Sequence, residues 1–304
     1  MARSIYIASP NAGTGKSTVA LGLVASLTKV VAKVGVFRPF TGSRNLDPFL
    51  NLLLSRSGST TPADQCVGVT WDEYHADPEG SLARIVTAYR AVARNHDVVI
   101  IDGSDFSDVV GNPELALNAR VAANMGVPVL LVVSGQGAPE DVRSSVEVSM
   151  AEISDNLART VAVVANKCPA DSRSAVAQAL RGIKGIATTT LPEVPLLAAP
   201  SVREVMKRID GTLISGDEAL LDREAESVLV AAMDVSHLLE RPDGCARGRS
   251  SLSRPTAPRS SSPWPPPRPP PPSPLWPAWC SMGVSRSPPT PCACCRASTS
   301  PCRS

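Results

Sequence analysis

Short, continuous apolar runs alternate along much of this chain with longer stretches in which apolar residues recur at every third or fourth position. The runs cover residues 5–8, 34–37, 98–101, 127–133 and 161–164, lengths typical of strands buried on both faces. Helical spacing covers residues 78–95, 114–125 and 139–157, and a further helix is expected to begin at Lys16. Strands separated by such helices are joined by right-handed crossovers, so the pattern predicts an α/β fold with a doubly wound parallel sheet.

Residues 9–17, Ser-Pro-Asn-Ala-Gly-Thr-Gly-Lys-Ser, lie between the first strand and the first helix. Glycines in this position let backbone N–H groups turn inward around phosphate oxygens, and the following helix adds its unpaired amides and positive end. The predicted nucleotide-binding residues of this P-loop are Gly13, Thr14, Gly15, Lys16, Ser17 and Thr18. Lys16 would reach the outer phosphates and the Ser17 hydroxyl would hold Mg²⁺. Pro10 replaces the first glycine of the full pattern and removes one amide donor, so we expect weak binding of ATP or another nucleotide with Mg²⁺; an ordinary strand-to-helix turn is the alternative.

Three further candidate residues follow predicted strands, at the edge of a parallel sheet where ligands bind. Arg38 can clamp a carboxylate or a phosphate with two hydrogen bonds, or it is a surface arginine beside a turn. Asp102 stands where a P-loop protein places its magnesium-side carboxylate, and with Ser17 it forms the predicted metal site; a capping or turn aspartate is the alternative. Asn166 can offer a donor and an acceptor to a purine edge, or it forms a simple turn.

The composition changes near residue 243. Residues 245–304 hold 16 of the 29 prolines and 6 of the 8 cysteines, with eight arginines and no Lys, Asp or Glu. The formal charge of +2 for the whole chain therefore leaves −6 on residues 1–244. We interpret residues 245–304 as a disordered tail, the out-of-frame reading of a GC-rich gene, because six cysteines and three tryptophans are unusual in an evolved disordered segment. A Pro-rich linker and a basic interaction tail are the alternatives.

The acidic balance of residues 1–244 gives no reason to expect a nucleic-acid or membrane partner. The chain begins without an apolar signal core, and no stretch has membrane-spanning length, so a cytoplasmic location is expected. Cys66 and Cys168 are too few and too far apart for a disulfide framework and are expected to be buried free thiols. His75, His96 and His237 share no metal-like spacing.

Several of these segments, taken in order, resemble the N-terminal half of the long, multidomain form of bacterial phosphate acetyltransferase, of the actinobacterial type. The similar segments are residues 5–23, 36–39, 98–133 and, above all, 191–206. The resemblance implies a P-loop domain similar to dethiobiotin synthetase over residues 1–195, followed over residues 196–244 by the start of a DRTGG-type domain, here an incomplete small α/β domain. Ser201 and Glu204 also match a capping box for a helix that opens this second domain.

The resemblance implies the nucleotide-binding regulatory portion of an enzyme that converts acetyl-CoA and phosphate to CoA and acetyl phosphate. Its partners would be a nucleotide or a small metabolite effector, and a homo-oligomer would form through the family's later domains. Nothing in the sequence resembles the catalytic domain, so we expect no acetyl transfer by this chain. The alternative is a free-standing, ATP-dependent enzyme of the dethiobiotin synthetase type. That family has a lysine where this chain has Arg38, and a fixed guanidinium cannot play the same role.

Overall fold

The computed structural model describes residues 2–42, 47–104, 114–183, 185–213 and 216–225, together with the backbone of 227–231, 249–253 and 282–283. The chain divides into two compact units, Met1–Glu193 and Val194–Ser304. Within the described part, no helix is both long enough and apolar enough to cross a bilayer.

The first unit alternates strands and helices in the predicted manner. Its strands are β1 (Arg3–Ala8), β2 (Val34–Thr41), β3 (Val67–Thr70), β4 (Val98–Asp102), β5 (Val129–Ser134), β6 (Thr160–Cys168) and β7 (Ala187–Pro192). Its α-helices are α1 (Lys16–Leu27), α2 (Pro48–Ser57), α3 (Trp71–Ala76), α4 (Pro78–Arg94), α5 (Glu114–Met125), α6 (Pro139–Asp155) and α7 (Arg173–Leu180), with a 3-10 helix at Ala63–Cys66.

All seven strands form one parallel sheet in the order β3-β2-β4-β1-β5-β6-β7. The predicted P-loop α/β architecture with a doubly wound parallel sheet is therefore confirmed. β1 lies between β4 and β5. The chain runs from β1 through β2 to the edge strand β3, returns to β4, and then passes over β1 to β5, β6 and β7. The strand order reverses at this point, and ligands of open α/β sheets bind beside such a reversal, at the carboxyl ends of the strands.

The central strands form the core of the first unit. Tyr6, Ile7, Ile100 and Leu131 have no exposed surface, which agrees with strands covered by helices on both faces. The helix α4 places Ile85, Tyr89 and Val92 in the same core at helical spacing. Burial of the continuous apolar runs holds the strands together, and the P-loop that follows β1 therefore has a rigid base.

Several element ends differ from the predictions. The strand β2 continues to Thr41 because the short strand β3, which was not predicted, pairs with it beyond Phe37. The strand β6 similarly continues to Cys168 alongside the unpredicted β7. Arg38 and Asn166 therefore lie near the ends of strands, and the predicted loop positions were wrong. The predicted helix 139–157 was too long, since α6 ends at Asp155 and Leu157 is exposed with a φ of 62°.

The second unit contains α8 (Val202–Arg208) and the strands β8 (Thr212–Leu213), β9 (Ser227–Ala231), β10 (Arg249–Ser253) and β11 (Met282–Gly283), in the sheet order β8-β11-β10-β9. The predicted capping box is confirmed: Ser201 Oγ accepts from the Glu204 N–H at 3.2 Å, and a Glu204 carboxylate oxygen accepts from the Ser201 N–H at 2.9 Å. The predicted disordered tail was wrong at residues 249–253 and 282–283, which form β10 and β11, and the rest of it lies outside the described residues. The predicted domain limits at residues 195 and 244 stay predictions.

Candidate functional site

The loop between β1 and α1 has the backbone shape expected of a P-loop. Gly13 and Gly15 have φ values of 76° and 82°, a left-handed conformation that glycine adopts without steric cost. Gly15 is the N-cap of α1, and no side chain caps the helix there, so its first amides face the loop. A Cβ atom at Gly15 would also lie 2.3 Å from the side-chain amide nitrogen of Asn166. Both the conformation and the close contact therefore require glycine.

Lys16 connects this loop to the end of β4. Its side chain is 1% exposed, and its Nζ donates to Asp102 Oδ1 at 3.0 Å and to the backbone carbonyl of Gly103. Asp102 pairs with Ile7 in the ladder between β4 and β1, and this register places its carboxylate beside the start of the loop. A buried ion pair persists where hydrogen bonds compensate for the lost hydration, and the two bonds of the Lys16 ammonium do so for the cation.

Asp102 is fully buried and faces a second cation. Its Oδ2 atom has no hydrogen-bond partner, although Arg38 Nε lies 3.4 Å away. The guanidinium of Arg38 also contacts Asp47, with 2.5 Å between Nη1 and Oδ2. The other Asp47 oxygen accepts from the Leu50 N–H at 2.9 Å and thereby caps α2. Asp47 was not predicted as a site residue, although an aspartate before a proline at a helix start is a recognisable capping signal.

Asn166 and Lys167, at the end of β6, reach the P-loop from the opposite side. The Asn166 Nδ2 donates to the carbonyl of Thr14 at 2.9 Å, and the Lys167 Nζ donates to the carbonyl of Gly13 at 2.7 Å. Lys167 has a φ of 60°, which is uncommon for a residue with a side chain. Lys167 was not among the predicted site residues, because its role depends on a contact with residues more than 150 positions earlier.

The remaining predicted residues lie in the first turn of α1, where Ser17 is half-buried and Thr18 is exposed. The described residues contain no group of three acidic, His or Cys side chains that could hold a metal ion by itself. Mg²⁺ usually binds one or two protein oxygens together with phosphate oxygens and waters. The Ser17 hydroxyl and the unpartnered, buried Asp102 Oδ2 offer suitable oxygen donors, so the residues present fit a magnesium ion that accompanies a phosphate group.

A buried polar network fixes the backbone of the residues that directly follow Asp102. The Tyr6 hydroxyl donates to Asn118 Oδ1 at 2.7 Å, and the same oxygen accepts from the Ser104 N–H at 3.1 Å. Burial raises the pKa of Tyr6 well above its usual value, and the nearby charge of Asp102 adds to the rise. Tyr6 therefore stays protonated and keeps its donor, which holds residues 102–104 against β1 and α5.

The predicted buried free thiols are confirmed, because Cys66 and Cys168 are both buried and unpaired. Burial raises the pKa of Cys66 to about 11 and also raises that of Cys168. His96 contacts Ser59 Oγ at 3.0 Å and the carbonyl of Val92 at 2.8 Å, as a structural histidine would. His237 lies outside the described residues.

Comparison with known proteins finds related sequences over most of the chain. A family model described as an AAA domain (AAA_26) matches residues 3–201. Phosphate acetyltransferases from Nitratidesulfovibrio vulgaris and Synechocystis sp. are 25% and 24% identical over 255 and 251 residues. Each alignment covers 79% of this chain and 36% of the relative. The chain thus spans little more than a third of these relatives and is homologous to a part of them.

Two further similarities concern other proteins. Hydrogenobyrinate a,c-diamide synthase from Streptomyces coelicolor is 29% identical over 174 residues, which is 57% of this chain and 32% of that protein. Among solved structures, a putative plasmid partition protein from Borrelia burgdorferi B31, bound to AMPPNP, has a TM-score of 0.45 at 15% identity. That alignment covers 64% of this chain and 86% of the other.

Proposed function

This chain belongs to the AAA domain family (AAA_26), and from that premise we propose that its first unit binds a nucleoside di- or triphosphate with Mg²⁺ through residues 9–17. The arrangement of Lys16 and Asp102 carries the proposal. It places an ammonium group and a carboxylate side by side at the carboxyl ends of neighbouring strands, where the glycine loop meets the start of a helix.

Each residue of the proposed site has a distinct role. The amides of the loop and of the first turn of α1 donate to phosphate oxygens, helped by the positive end of the helix. Lys16 would turn from Asp102 towards the outer phosphates, and Ser17 and Asp102 would hold the Mg²⁺ ion. Bound Mg²⁺ would neutralise phosphate charge. Binding is weak, because Pro10 has no N–H to donate and because Lys16 must first give up its contact with Asp102 Oδ1.

We further propose that the chain is the nucleotide-binding, regulatory N-terminal portion of a phosphate acetyltransferase. The support is the similarity to two such enzymes over 79% of this chain but 36% of their length. In this proposal a nucleotide or small metabolite acts as an effector, and the start of a DRTGG-type domain follows the P-loop domain. The protein would be cytoplasmic, of actinobacterial type, and would act in acetate metabolism.

An ATP-dependent enzyme of the dethiobiotin synthetase type is the second candidate, favoured by the similarity to hydrogenobyrinate a,c-diamide synthase. Such an enzyme would consume ATP only when a small carboxylic acid is present. Arg38 weighs against this role, because Asp47 and Asp102 both engage its guanidinium. A guanidinium also remains charged at all relevant pH values and cannot become a neutral amine.

Calorimetric titration of ATP and ADP, each with Mg²⁺, into the full chain tests nucleotide binding. We expect measurable heat at about 1 mM nucleotide, corresponding to a weak interaction. The variant Lys16→Ala should abolish the heat, whereas Lys29→Ala, which removes an exposed lysine just beyond the C-terminus of α1, should not change it. Absence of heat from the unaltered chain, or equal heats for Lys16→Ala, would contradict the proposal.

The same preparation tests the proposal that this chain binds a nucleotide but does not transfer acetyl groups. We expect no conversion of acetyl-CoA and phosphate to acetyl phosphate by the purified chain, because acyl transfer needs a site that holds thioester and phosphate in attack geometry. A coupled assay measures this, with the chain purified from a host that lacks its own phosphate acetyltransferase. Turnover well above the blank would show that the chain is catalytic.

A further inference from the structure

We propose that Asn166 and Lys167, here called the positioning pair, shape the phosphate loop before any ligand arrives. The inference rests on the proposed nucleotide-binding function and assigns a role to two residues of β6 that lie outside the glycine loop. They would act through the loop backbone, by fixing the direction in which its amides point.

The contacts of the positioning pair are directed at successive peptide units. Asn166 Nδ2 donates to the carbonyl oxygen of Thr14 at 2.9 Å, and Lys167 Nζ donates to the carbonyl oxygen of Gly13 at 2.7 Å. In a planar trans peptide the carbonyl and the following N–H point in opposite directions. With both carbonyls drawn towards β6, the N–H groups of Thr14 and Gly15 point away from β6. These amides are among the donors that a phosphate-binding loop uses.

The sheet leaves room for these contacts. β5 lies between β1 and β6, so the positioning pair must cross its carboxyl end to reach the loop. The residue there is Gly135, whose N–H donates to the carbonyl of Asn166 at 2.5 Å. A Cβ atom at Gly135 would lie 2.2 Å from Cys168 Sγ and 3.0 Å from the Asn166 carbonyl oxygen. The absence of a side chain at this position therefore permits the close approach of the end of β6 to the end of β5, which brings the positioning pair towards the loop.

The backbone of Lys167 departs from the ordinary strand conformation. Its φ of 60° is left-handed, and the pairing of β6 with β7 shifts register between Ala165 and Cys168. A register irregularity redirects side chains at the end of a strand, and strained backbone concentrates at functional sites. A glycine would adopt this conformation at lower cost, but it could not reach the carbonyl of Gly13. A lysine at this strained position is explained if its contact with the loop is needed.

A preorganised loop binds phosphate more tightly, because no conformational entropy of the loop has to be lost when the ligand binds. The variants Asn166→Ala and Lys167→Gly each remove one contact, and glycine at 167 also removes the backbone strain. We expect each variant to weaken binding about fivefold and the double variant more than tenfold. Lys29→Ala is the matched control for loss of a lysine.

Two measurements on the full chain test the proposal. The first is ¹⁵N relaxation of the ligand-free protein, in which the order parameters of Thr14 and Gly15 should fall from about 0.85 to below about 0.6 in the double variant. The second is calorimetry with Mg²⁺-ATP and with inorganic tripolyphosphate, which has no base. Positioning predicts the same fold loss for both ligands, whereas a base contact by Asn166 would weaken ATP alone.

The outcomes separate this proposal from the proposed function. Unchanged order parameters in the double variant, or a loss confined to ATP, would overturn the role of the positioning pair. If the unaltered chain binds neither probe, nucleotide binding fails, while the relaxation data still decide whether the pair orders the loop. Lowered order parameters with equal losses for both probes support the proposal.

Discussion

Lys16 is expected to stabilise the ligand-free fold as well as to bind phosphate, and replacing it with methionine tests this. Lys16 and Asp102 are 1% and 0% exposed, with 3.0 Å between Nζ and Oδ1. At an effective dielectric constant of about 20, unit charges at that distance attract by about 5–6 kcal/mol before desolvation is counted. Removing one partner of a buried pair costs about 3–5 kcal/mol, because the remaining charge is left uncompensated. Arg38, 3.4 Å from Asp102 Oδ2, remains beside that charge. We therefore expect a loss of about 3 kcal/mol, the lower end of the range.

Urea unfolding followed by circular dichroism, without nucleotide, measures the change in the free energy of unfolding. With a slope of about 2 kcal/mol per molar urea, the midpoint for Lys16→Met should fall by about 1.5 M. Adding Asp102→Asn removes the uncompensated carboxylate and should restore more than half of the loss. Lys29→Ala, at an exposed position, should change stability by less than about 0.5 kcal/mol.

Two results would refute this reasoning. If Lys16→Met unfolds within about 0.5 kcal/mol of the unaltered chain, the ion pair contributes nothing to the ligand-free fold. If the double variant is as unstable as Lys16→Met, the loss comes from packing and not from an unpaired charge. The coupling of the two substitutions therefore separates electrostatics from shape.

Three further outcomes are expected. Asp47→Ala, which removes both the α2 cap and the Arg38 contact, should cost about 2–4 kcal/mol in urea unfolding, whereas Asp47→Asn keeps an oxygen for the cap and should cost less. The raised pKa of Cys66, about 11 against 9.0, means that the unfolded chain loses its thiol proton first; stability should fall by about 2–3 kcal/mol between pH 9 and 11, and the fall should be smaller in Cys66→Ala. Resequencing the gene across the codons for residues 239–249 should reveal a frame change. Residues 279–283 can be written TGG-TGC-TCA-ATG-GGN, which reads Leu-Val-Leu-Asn-Gly when a preceding C starts the frame one nucleotide earlier. An intact frame with no acetyltransferase coding downstream would refute the frameshift.

Local sequence was enough to determine the class of fold and the position of the glycine loop. Buried parallel strands are continuous apolar runs, and amphipathic helices repeat at 3.6 residues, so both are visible within short windows. The Ser201 capping box was likewise predicted and confirmed, because both of its hydrogen bonds lie within four consecutive residues. The strands β3 and β7 were missed for the complementary reason. Both are edge strands: β3 has only four residues, and β7 reads Ala-Thr-Thr-Thr-Leu-Pro, with little of the apolar character that marks a buried strand.

The interior of the candidate site was decided by tertiary structure. Lys16 meets Asp102 across 86 residues of sequence, and Asn166 meets Thr14 across 152. Neither pairing follows from local periodicity, because each depends on which strands become neighbours and where their carboxyl ends coincide. The same holds for Arg38, which β3 draws into a longer β2 and places between two carboxylates. The sequence determined which chemical groups stand at the strand ends, and the order and register of the sheet determined which of them touch.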